Sequence, residues 1–120
     1  MVDYFEKPKT FIVISTIMTW AKTKIDNDDP ETPIPEDEYR RRKPHPNFKA
    51  YANLEKAIVK HSKKDKFKGY VIAPGLIYHA GDSIFHNFFK SAWHNEPFLT
   101  CYGDGTNVVP CIHLDDLISI

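Results

Sequence analysis

Glycine is scarce in this sequence, and it contains no glycine-rich phosphate loop. The 120 residues include five glycines, and none of them forms the GxGxxG or GxxxxGK(S/T) pattern. The first pattern cradles the pyrophosphate of a dinucleotide, and the second cradles the phosphates of ATP. We therefore expect these residues by themselves to bind neither NAD(P) nor ATP well.

The sequence also has few cysteines, no net charge and no long apolar run. The two cysteines, Cys101 and Cys111, provide no disulfide framework, so reduced thiols in a cytoplasmic protein are expected. Sixteen basic and sixteen acidic residues leave no net charge that would attract nucleic acid or an anionic membrane. The longest apolar run, FIVISTIM, is far shorter than the roughly 20 residues that cross a bilayer. The chain length favours one domain with a modest core.

Two β-branched apolar segments are the clearest structural signal. TFIVIST (residues 10–16) and YVIAPG (70–75) show no alternation, which favours strands buried on both faces of a parallel sheet. Between them, residues 47–63 predict a helix that Asn47 caps. Its apolar positions at helical spacing are Ala50, Leu54, Ala57, Ile58 and His61. The two strands are therefore predicted to lie side by side and parallel, with this helix as the crossover.

The segments after residue 75 continue an α/β pattern. SIFHNFFKSAWH (83–94) predicts an amphipathic helix, and PFLTCY (97–102) predicts a third strand that ends in the turn GDG. VVPCIHL (108–114) is extended and broken by Pro110, and LDDLISI (114–120) begins a last helix. The aromatic residues of the first of these helices are expected in the core, with a partner-facing groove as the alternative. They are Phe85, Phe88, Phe89 and Trp93.

A proline-rich, charged segment at about 21–46 is predicted to be a long surface loop, because proline at this density disfavours helix and central strand. It is expected to be a solvated excursion whose opposite charges pair locally, or else an anion or partner site. The basic residues of that alternative site are Arg40, Arg41, Arg42 and Lys43. The lysines of KHSKKDKFKG (60–69) leave a similar choice between a solvated helix end and a phosphate patch.

Four stretches resemble the C-terminal half of an extended short-chain dehydrogenase/reductase, the class of sugar-nucleotide epimerases and dehydratases. VISTIMTWA (13–21) looks like the fifth strand with its Ser/Thr-rich exit, and ANLEKAIVK (52–60) looks like the catalytic helix. VIAPGLIYHAG (71–81) is similar to the sixth strand, and CYGDGTNVVPCIHLDDL (101–117) to the substrate-binding end. The resemblance implies a partial Rossmann-like domain over residues 1–120, the C-terminal half of a parallel sheet without its first strands.

In that family a tyrosine acid stands four residues before a lysine, and a serine or threonine orients the substrate. The resemblance places Thr16 at the hydroxyl position, Lys56 at the lysine and Ala52 where the tyrosine belongs. Tyr51 is five residues before Lys56, so at about 100° per residue the two lie about 140° apart around a helix. We therefore interpret Thr16 and Lys56 as the remnant of a catalytic site without its proton donor. By the same resemblance the candidate cofactor-binding residues are Thr16, Lys56, Pro74 and Gly75, and they would hold NAD(P) only together with the missing N-terminal half.

Other reactive residues give weak signals. Cys111 and His113 alternate along an extended segment, but soft ligands without CxxC spacing predict no metal site. The same pair has no orienting residue that would support nucleophilic catalysis. His113, Asp115 and Asp116 are instead expected to cap the last helix.

A closer resemblance rests on ISTIMTWA, DEYRRRKPHPNF, EKAIVK and GDGTNVVPCIHLDDL together. This combination is similar to the reductase-like N-terminal region of adenylate kinases of the seventh, ciliary isozyme type. The resemblance implies a non-catalytic scaffold or interaction segment, with the ATP-dependent kinase domain downstream. A protein partner or the rest of the parent chain is then expected along the exposed sheet edge, in the cytoplasm or the ciliary axoneme. The alternative is part of an NAD(P)-dependent epimerase, dehydratase or reductase, against which Ala52 argues.

Overall fold

The computed structural model describes residues 5–24, 32–81 and 85–120. The chain divides into two compact units, Met1–Ala73 and Pro74–Ile120. Each unit contains a two-stranded parallel sheet, so the architecture is mixed α/β. The single partial domain over residues 1–120 stays a prediction.

The first unit consists of a strand, a helix and a second, parallel strand. These elements are β1 (Lys9–Ile14), α1 (Lys49–His61) and β2 (Phe67–Ile72). The register runs from Lys9 opposite Phe67 to Ile14 opposite Ile72. The predicted parallel pairing of the two apolar segments, with a helix between them along the chain, is confirmed.

The connection from β1 to α1 contains three short 3-10 helices, Ile17–Thr19, Glu36–Arg40 and Pro46–Phe48. Apart from these, residues 21–24 and 32–46 contain neither helix nor strand, as the prolines predicted. An exposed pair between Arg41 and Glu38, at 3.3 Å, matches the expected local pairing of charges. Residues 25–31 of the predicted loop lie outside the described residues.

The start of α1 differs from the prediction. Asn47 lies inside the 3-10 helix Pro46–Phe48, and the residue that caps this turn is His45. The Nδ1 atom of His45 accepts the backbone N–H of Asn47 at 3.3 Å. Asn47 therefore donates to a cap instead of providing one.

The buried face of α1 also differs from the predicted apolar face. The buried residues are Ala52, Glu55 and Ile58, spaced three apart, whereas Leu54 is 54% exposed. Of the predicted apolar positions Ile58 is buried, whereas Leu54, Ala50 and Ala57 are exposed, and the charged Glu55 occupies a place on the buried face.

The end of α1 lies close to β2 at Ser62 and Gly69, where a hydroxyl group bridges the two elements and glycine has no side chain. The backbone N–H of Gly69 donates to Ser62 Oγ at 2.9 Å, and this hydroxyl lies 2.9 Å from the carbonyl of Ile58 and 2.8 Å from that of Gly69. A Cβ at position 69 would lie 2.6 Å from Ser62 Oγ and 2.7 Å from Ile58 Cγ2. Glycine thus permits this close approach of helix and strand.

Among the described residues, α1 packs on one face of the first unit's sheet, where Phe11 is still 48% exposed. Alternate residues of a strand point to opposite faces, and Ser15 and Gly69 on one face contact α1. On the other face Ile12, Ile14 and Tyr70 are 56%, 50% and 52% exposed. The expectation of strands buried on both faces is therefore wrong for the described residues.

The second unit pairs β3 (Leu76–Tyr78) with β4 (Cys111–His113) in parallel. Its helices are α2 (His86–Trp93) and α3 (Leu114–Ile118), close to their predicted positions. Residues 82–84, at the predicted start of α2, lie outside the described part of the chain. The strand β4 begins directly after Pro110, where the sequence predicted a break.

Two predictions about the second unit were wrong. PFLTCY (97–102) forms no strand, so the predicted third strand is not present, and β1 pairs with β2 alone among the described residues. Its β-like composition has no pairing partner, and a strand requires one. Phe89 and Trp93 are 70% and 86% exposed, so the predicted core position is wrong for these two aromatic residues, whereas Phe85 and Phe88 are half-buried.

Candidate functional site

Thr16, the predicted substrate-orienting hydroxyl, lies where β1 ends and the 3-10 helix Ile17–Thr19 begins. Its Oγ1 accepts the backbone N–H of Met18 at 3.2 Å, and its carbonyl accepts the hydroxyl of Thr19 at 3.0 Å. The Thr16 side chain therefore acts as a helix cap, although its O–H can still donate. Its role in a remnant site stays a prediction.

The three helix positions of the predicted remnant have different surroundings. Ala52, at the position of the family tyrosine, is 2% exposed. Tyr51 is 51% exposed, and its ring centroid lies 5.6 Å from that of Phe48. Lys56 is exposed and lines a groove between α1 and the segment that contains Arg40 and Arg42.

A buried carboxylate, which sequence reasoning did not single out, lies one residue before Lys56. Glu55 is 2% exposed. Its Oε1 accepts the hydroxyl of Ser15 in a short hydrogen bond, and its Oε2 accepts Arg42 Nη2 at 2.7 Å. One carboxylate thus connects the end of β1, the connection between β1 and α1, and α1 itself.

The Arg42 guanidinium is the charged partner of this carboxylate. It is held by three contacts, to Glu55, to the carbonyl of Tyr39 at 2.6 Å from Nη1, and to the face of Trp20 at 5.9 Å. The Nε atom of Arg42 is buried and has no hydrogen-bond partner. The sequence predicted a solvated loop here, with Arg42 in an anion or partner site as the alternative, whereas the residue is 8% exposed.

These contacts limit the chemistry of the cluster. Both oxygens of Glu55 accept hydrogen bonds from protein donors, so the carboxylate has no oxygen free of protein partners with which to take a substrate proton. The geometry is that of a buried, hydrogen-bonded ion pair, which couples segments far apart in the sequence. A signal for it did exist, because Glu55 stands three residues from both Ala52 and Ile58 on one face of a helix.

Pro74 and Gly75, the other predicted cofactor-binding residues, belong to the second unit. Pro74 is buried, and a Cβ at Gly75 would lie 2.2 Å from the carbonyl oxygen of Pro110. The same carbonyl accepts the N–H of Leu76 at 2.8 Å, beside the pairing of β3 with β4. Gly75 thus has a structural role in this sheet, and cofactor binding by Pro74 and Gly75 stays a prediction.

His113 caps α3, as the sequence predicted. Its Nδ1 accepts the backbone N–H of Asp115 at 3.3 Å, and its ring packs edge-on to Tyr78 at 5.2 Å. Cys101 and Cys111 are exposed free thiols. Within residues 5–24, 32–81 and 85–120, no three His, Cys, Asp or Glu side chains are grouped so that they could hold a metal ion.

The GDG turn has the backbone conformation that its glycines permit. Gly103 and Gly105 have φ angles of 68° and 81°, in the left-handed region. Between them, Asp104 Oδ1 accepts the hydroxyl of Thr106 at 2.7 Å and its N–H at 3.1 Å. These hydrogen bonds hold the pKa of Asp104 below its ordinary value, and the one from the Thr106 hydroxyl has the largest effect.

Comparison with known proteins adds a relationship that the geometry alone does not provide. No protein-family model and no solved structure matches the chain. A mouse protein named Adenylate kinase 7 is 51% identical to it over 122 residues, which cover 99% of the chain. The chain is similar to a segment of Adenylate kinase 7. The protein of that name from Macaca fascicularis is 49% identical over 70 residues, which cover 57% of the chain.

The chain spans about a fifth of the length of the mouse Adenylate kinase 7 and matches 13% of the macaque protein. This similarity supports an Adenylate kinase 7-type protein as the parent of these residues, as the second sequence resemblance implied. In the part of the chain that the structure describes, no helix is long and apolar enough to cross a membrane.

Proposed function

We propose that this chain is a non-catalytic, Rossmann-like scaffold segment of an Adenylate kinase 7-like protein. The observation that carries the proposal is the uncovered apolar face of the β1–β2 sheet, formed by Ile12, Ile14 and Tyr70. Each of the three side chains is half exposed or more. Contiguous apolar surface of this kind is typical of protein interaction sites.

The shape of the first unit supports the Rossmann-like part of the proposal. A parallel strand pair with a helix between its strands is the repeating unit of doubly wound sheets, which carry helices on both faces. Here α1 covers one face, so a complete fold of this type would add a second layer on the other. Within the described ranges, each strand of the pair also keeps one unpaired edge, to which further strands can add.

The surroundings of the remnant site support a non-catalytic role. A reductase of the resembled family needs a phenol beside the lysine, and position 52 carries a buried methyl group instead. The neighbouring Glu55 is engaged by Ser15 and Arg42 and does not replace that acid. In this proposal NAD(P) binding would require the missing first half of the fold. The kinase activity that the name of the relatives states would belong to a separate, downstream domain, and ATP would bind there.

The proposed occupant of the uncovered face and edges is protein, either the rest of the parent chain or a separate partner. The chain's zero net charge agrees with an apolar contact and does not favour nucleic acid. The cytoplasm, and the axoneme of a cilium by family resemblance, are the proposed locations.

Light scattering over a range of protein concentrations tests this proposal. The isolated wild-type chain should self-associate through the uncovered face, and Ile12→Glu with Ile14→Glu should restore the monomer mass. Leu54→Glu is the matched control, because Leu54 is equally exposed but lies on α1. A wild-type monomer with a sharp melting transition that is independent of concentration would contradict the proposal. NAD(P)H turnover by the wild type that Tyr51→Phe abolishes would contradict its non-catalytic part.

A further inference from the structure

A groove in the first unit is lined by several positively charged side chains, most of which have no ion-pair partner among the described residues. Its volume is about 210 Å³. The polar residues that line it, called the basic groove here, are Tyr39, Arg40, Arg42, Lys56, Lys60 and Lys63. The whole chain has no net charge, so this groove is a local concentration of cations.

The secondary structure explains why these cations converge. Lys60 and Lys63 follow Lys56 by four and seven residues, which places the three on one side of α1 and of the turn after it. The 3-10 helix Glu36–Arg40 adds Arg40 to the lining. Arg42, anchored by Glu55, lines the groove as well.

Within the described residues, carboxylates balance only part of the charge of the groove. Glu55 compensates Arg42, since their charged atoms are 2.7 Å apart. The remaining four, called the outer cations here, are Arg40, Lys56, Lys60 and Lys63. No ion pair within the described residues includes any of them. The negative end of a helix dipole amounts to roughly half a charge, so the end of α1 offsets only a small part of four positive charges.

The pKa of Tyr39 reflects this local field. The Tyr39 hydroxyl accepts a hydrogen bond from Arg40 Nε at 3.2 Å. That hydrogen bond and the Arg40 charge, followed by the charges of Lys63 and Arg42, hold the pKa of Tyr39 below its ordinary value. An anion in the groove would meet the same charges.

A second, independent observation comes from Arg42. More than nine-tenths of this residue is buried, it lines the groove, and its Nε–H has no acceptor. Buried polar groups are hydrogen-bonded in the great majority of cases, so a buried donor of this kind points to a missing acceptor. An oxyanion has several acceptor oxygens and fits guanidinium and ammonium donors at once.

We propose that the basic groove is a binding site for a phosphate group. Its volume is below the roughly 300–1,000 Å³ of pockets that enclose drug-sized ligands, so it suits the phosphate and leaves the remainder of a larger ligand outside. The phosphate can be free or carried by a soluble phosphate ester. This site is separate from the apolar sheet face and does not depend on the proposed scaffold role.

Titration of the 120-residue chain, observed by NMR of its backbone amides, tests this proposal. Inorganic phosphate, pyrophosphate, ADP and adenosine are compared at constant ionic strength. The phosphate-bearing probes should give saturable shifts at residues 39–42 and 56–63, whereas adenosine should give none. Equal affinities for phosphate and ADP identify the free anion as the sufficient ligand, and tighter binding of ADP identifies an ester.

Charge variants provide the control. Lys60→Gln with Lys63→Gln should weaken phosphate binding about tenfold or more, because two charge-assisted contacts are lost. Lys49→Gln removes one charge from the opposite end of α1 and should change the affinity by less than about twofold. Linear shifts without saturation, equal affinity in the double variant, or binding to anionic lipid vesicles without binding to soluble phosphate would overturn the proposal.

Discussion

Glu55 Oε2 lies 2.7 Å from Arg42 Nη2, and the side chains of Glu55 and Arg42 are only 3% and 4% exposed. The pair joins α1 to the proline-rich connection, and Ser15 adds the end of β1 to the same carboxylate. The pair holds these segments in place, but removing its two charges from water lowers the free energy of unfolding. It also holds Arg42, which lines the basic groove.

Breaking this pair should be far more damaging than removing it whole. Glu55→Gln or Arg42→Met leaves one buried charge without its partner, and each should lower the free energy of unfolding by about 3–5 kcal/mol. Arg42→Met combined with Glu55→Leu should recover most of that loss, since no buried charge remains. Denaturant unfolding at low protein concentration measures all three variants.

The exposed pair of Glu38 and Arg41 is the control for this cycle. Glu38→Gln removes an ion pair whose side chains are 37% and 55% exposed, so the loss should be below about 1 kcal/mol. The account would be wrong if Glu55→Gln cost no more than Glu38→Gln, or if the double variant were less stable than either single one.

Gly69 should not tolerate a side chain. A methyl group there meets Ser62 Oγ and Ile58 Cγ2 at less than 3 Å, so Gly69→Ala should destabilise the first unit by about 1–3 kcal/mol through overpacking. Lys68→Ala, at the neighbouring exposed position of β2, should stay within about 0.5 kcal/mol of the wild type. Thermal unfolding followed by circular dichroism provides the comparison, and equal effects of the two substitutions would argue against close helix–strand contact.

The pKa of Asp104 should depend on Thr106. Thr106→Val removes the hydroxyl donor but keeps the backbone N–H, so the pKa should rise partway toward its ordinary value. Because the folded pKa is the lower one, the stabilisation exists above the unfolded-state pKa and is lost as the pH falls through the folded pKa. Carboxyl NMR titration reads the change, and Thr100→Val is the control that should leave Asp104 unaffected. An unchanged pKa in Thr106→Val would show that the turn does not hold this hydrogen bond.

The parts of the fold that depend on local pattern were predictable. The β-branched runs around Val13 and Val71 indicated two parallel strands, and the segment between them indicated a helix. PFLTCY has a similar local composition but forms no strand, because strand formation depends on a pairing partner that composition does not reveal.

The candidate site was predictable only in part. Thr16 and Lys56 were proposed through their likeness to a family, and their role stays a prediction, whereas the buried Glu55 was missed because a charged residue is by default expected at the surface. Its partner Arg42 is 13 residues away, in a segment without regular secondary structure. Such a pair forms between residues that are far apart in the sequence and meet only in the folded chain. The spacing of residues along one helix does not reveal it.

Cysteine labelling at the uncovered sheet face tests the central claim most directly. Ile12→Cys and, as a control, Lys49→Cys are placed in the dilute 120-residue chain and in the longer parent protein, and mass spectrometry follows the labelling rate at each position. The scaffold account predicts that position 12 reacts about tenfold or more slowly in the parent protein, while position 49 reacts equally fast in both. Equal rates at position 12 in the two proteins would show that nothing covers this face and would contradict the account.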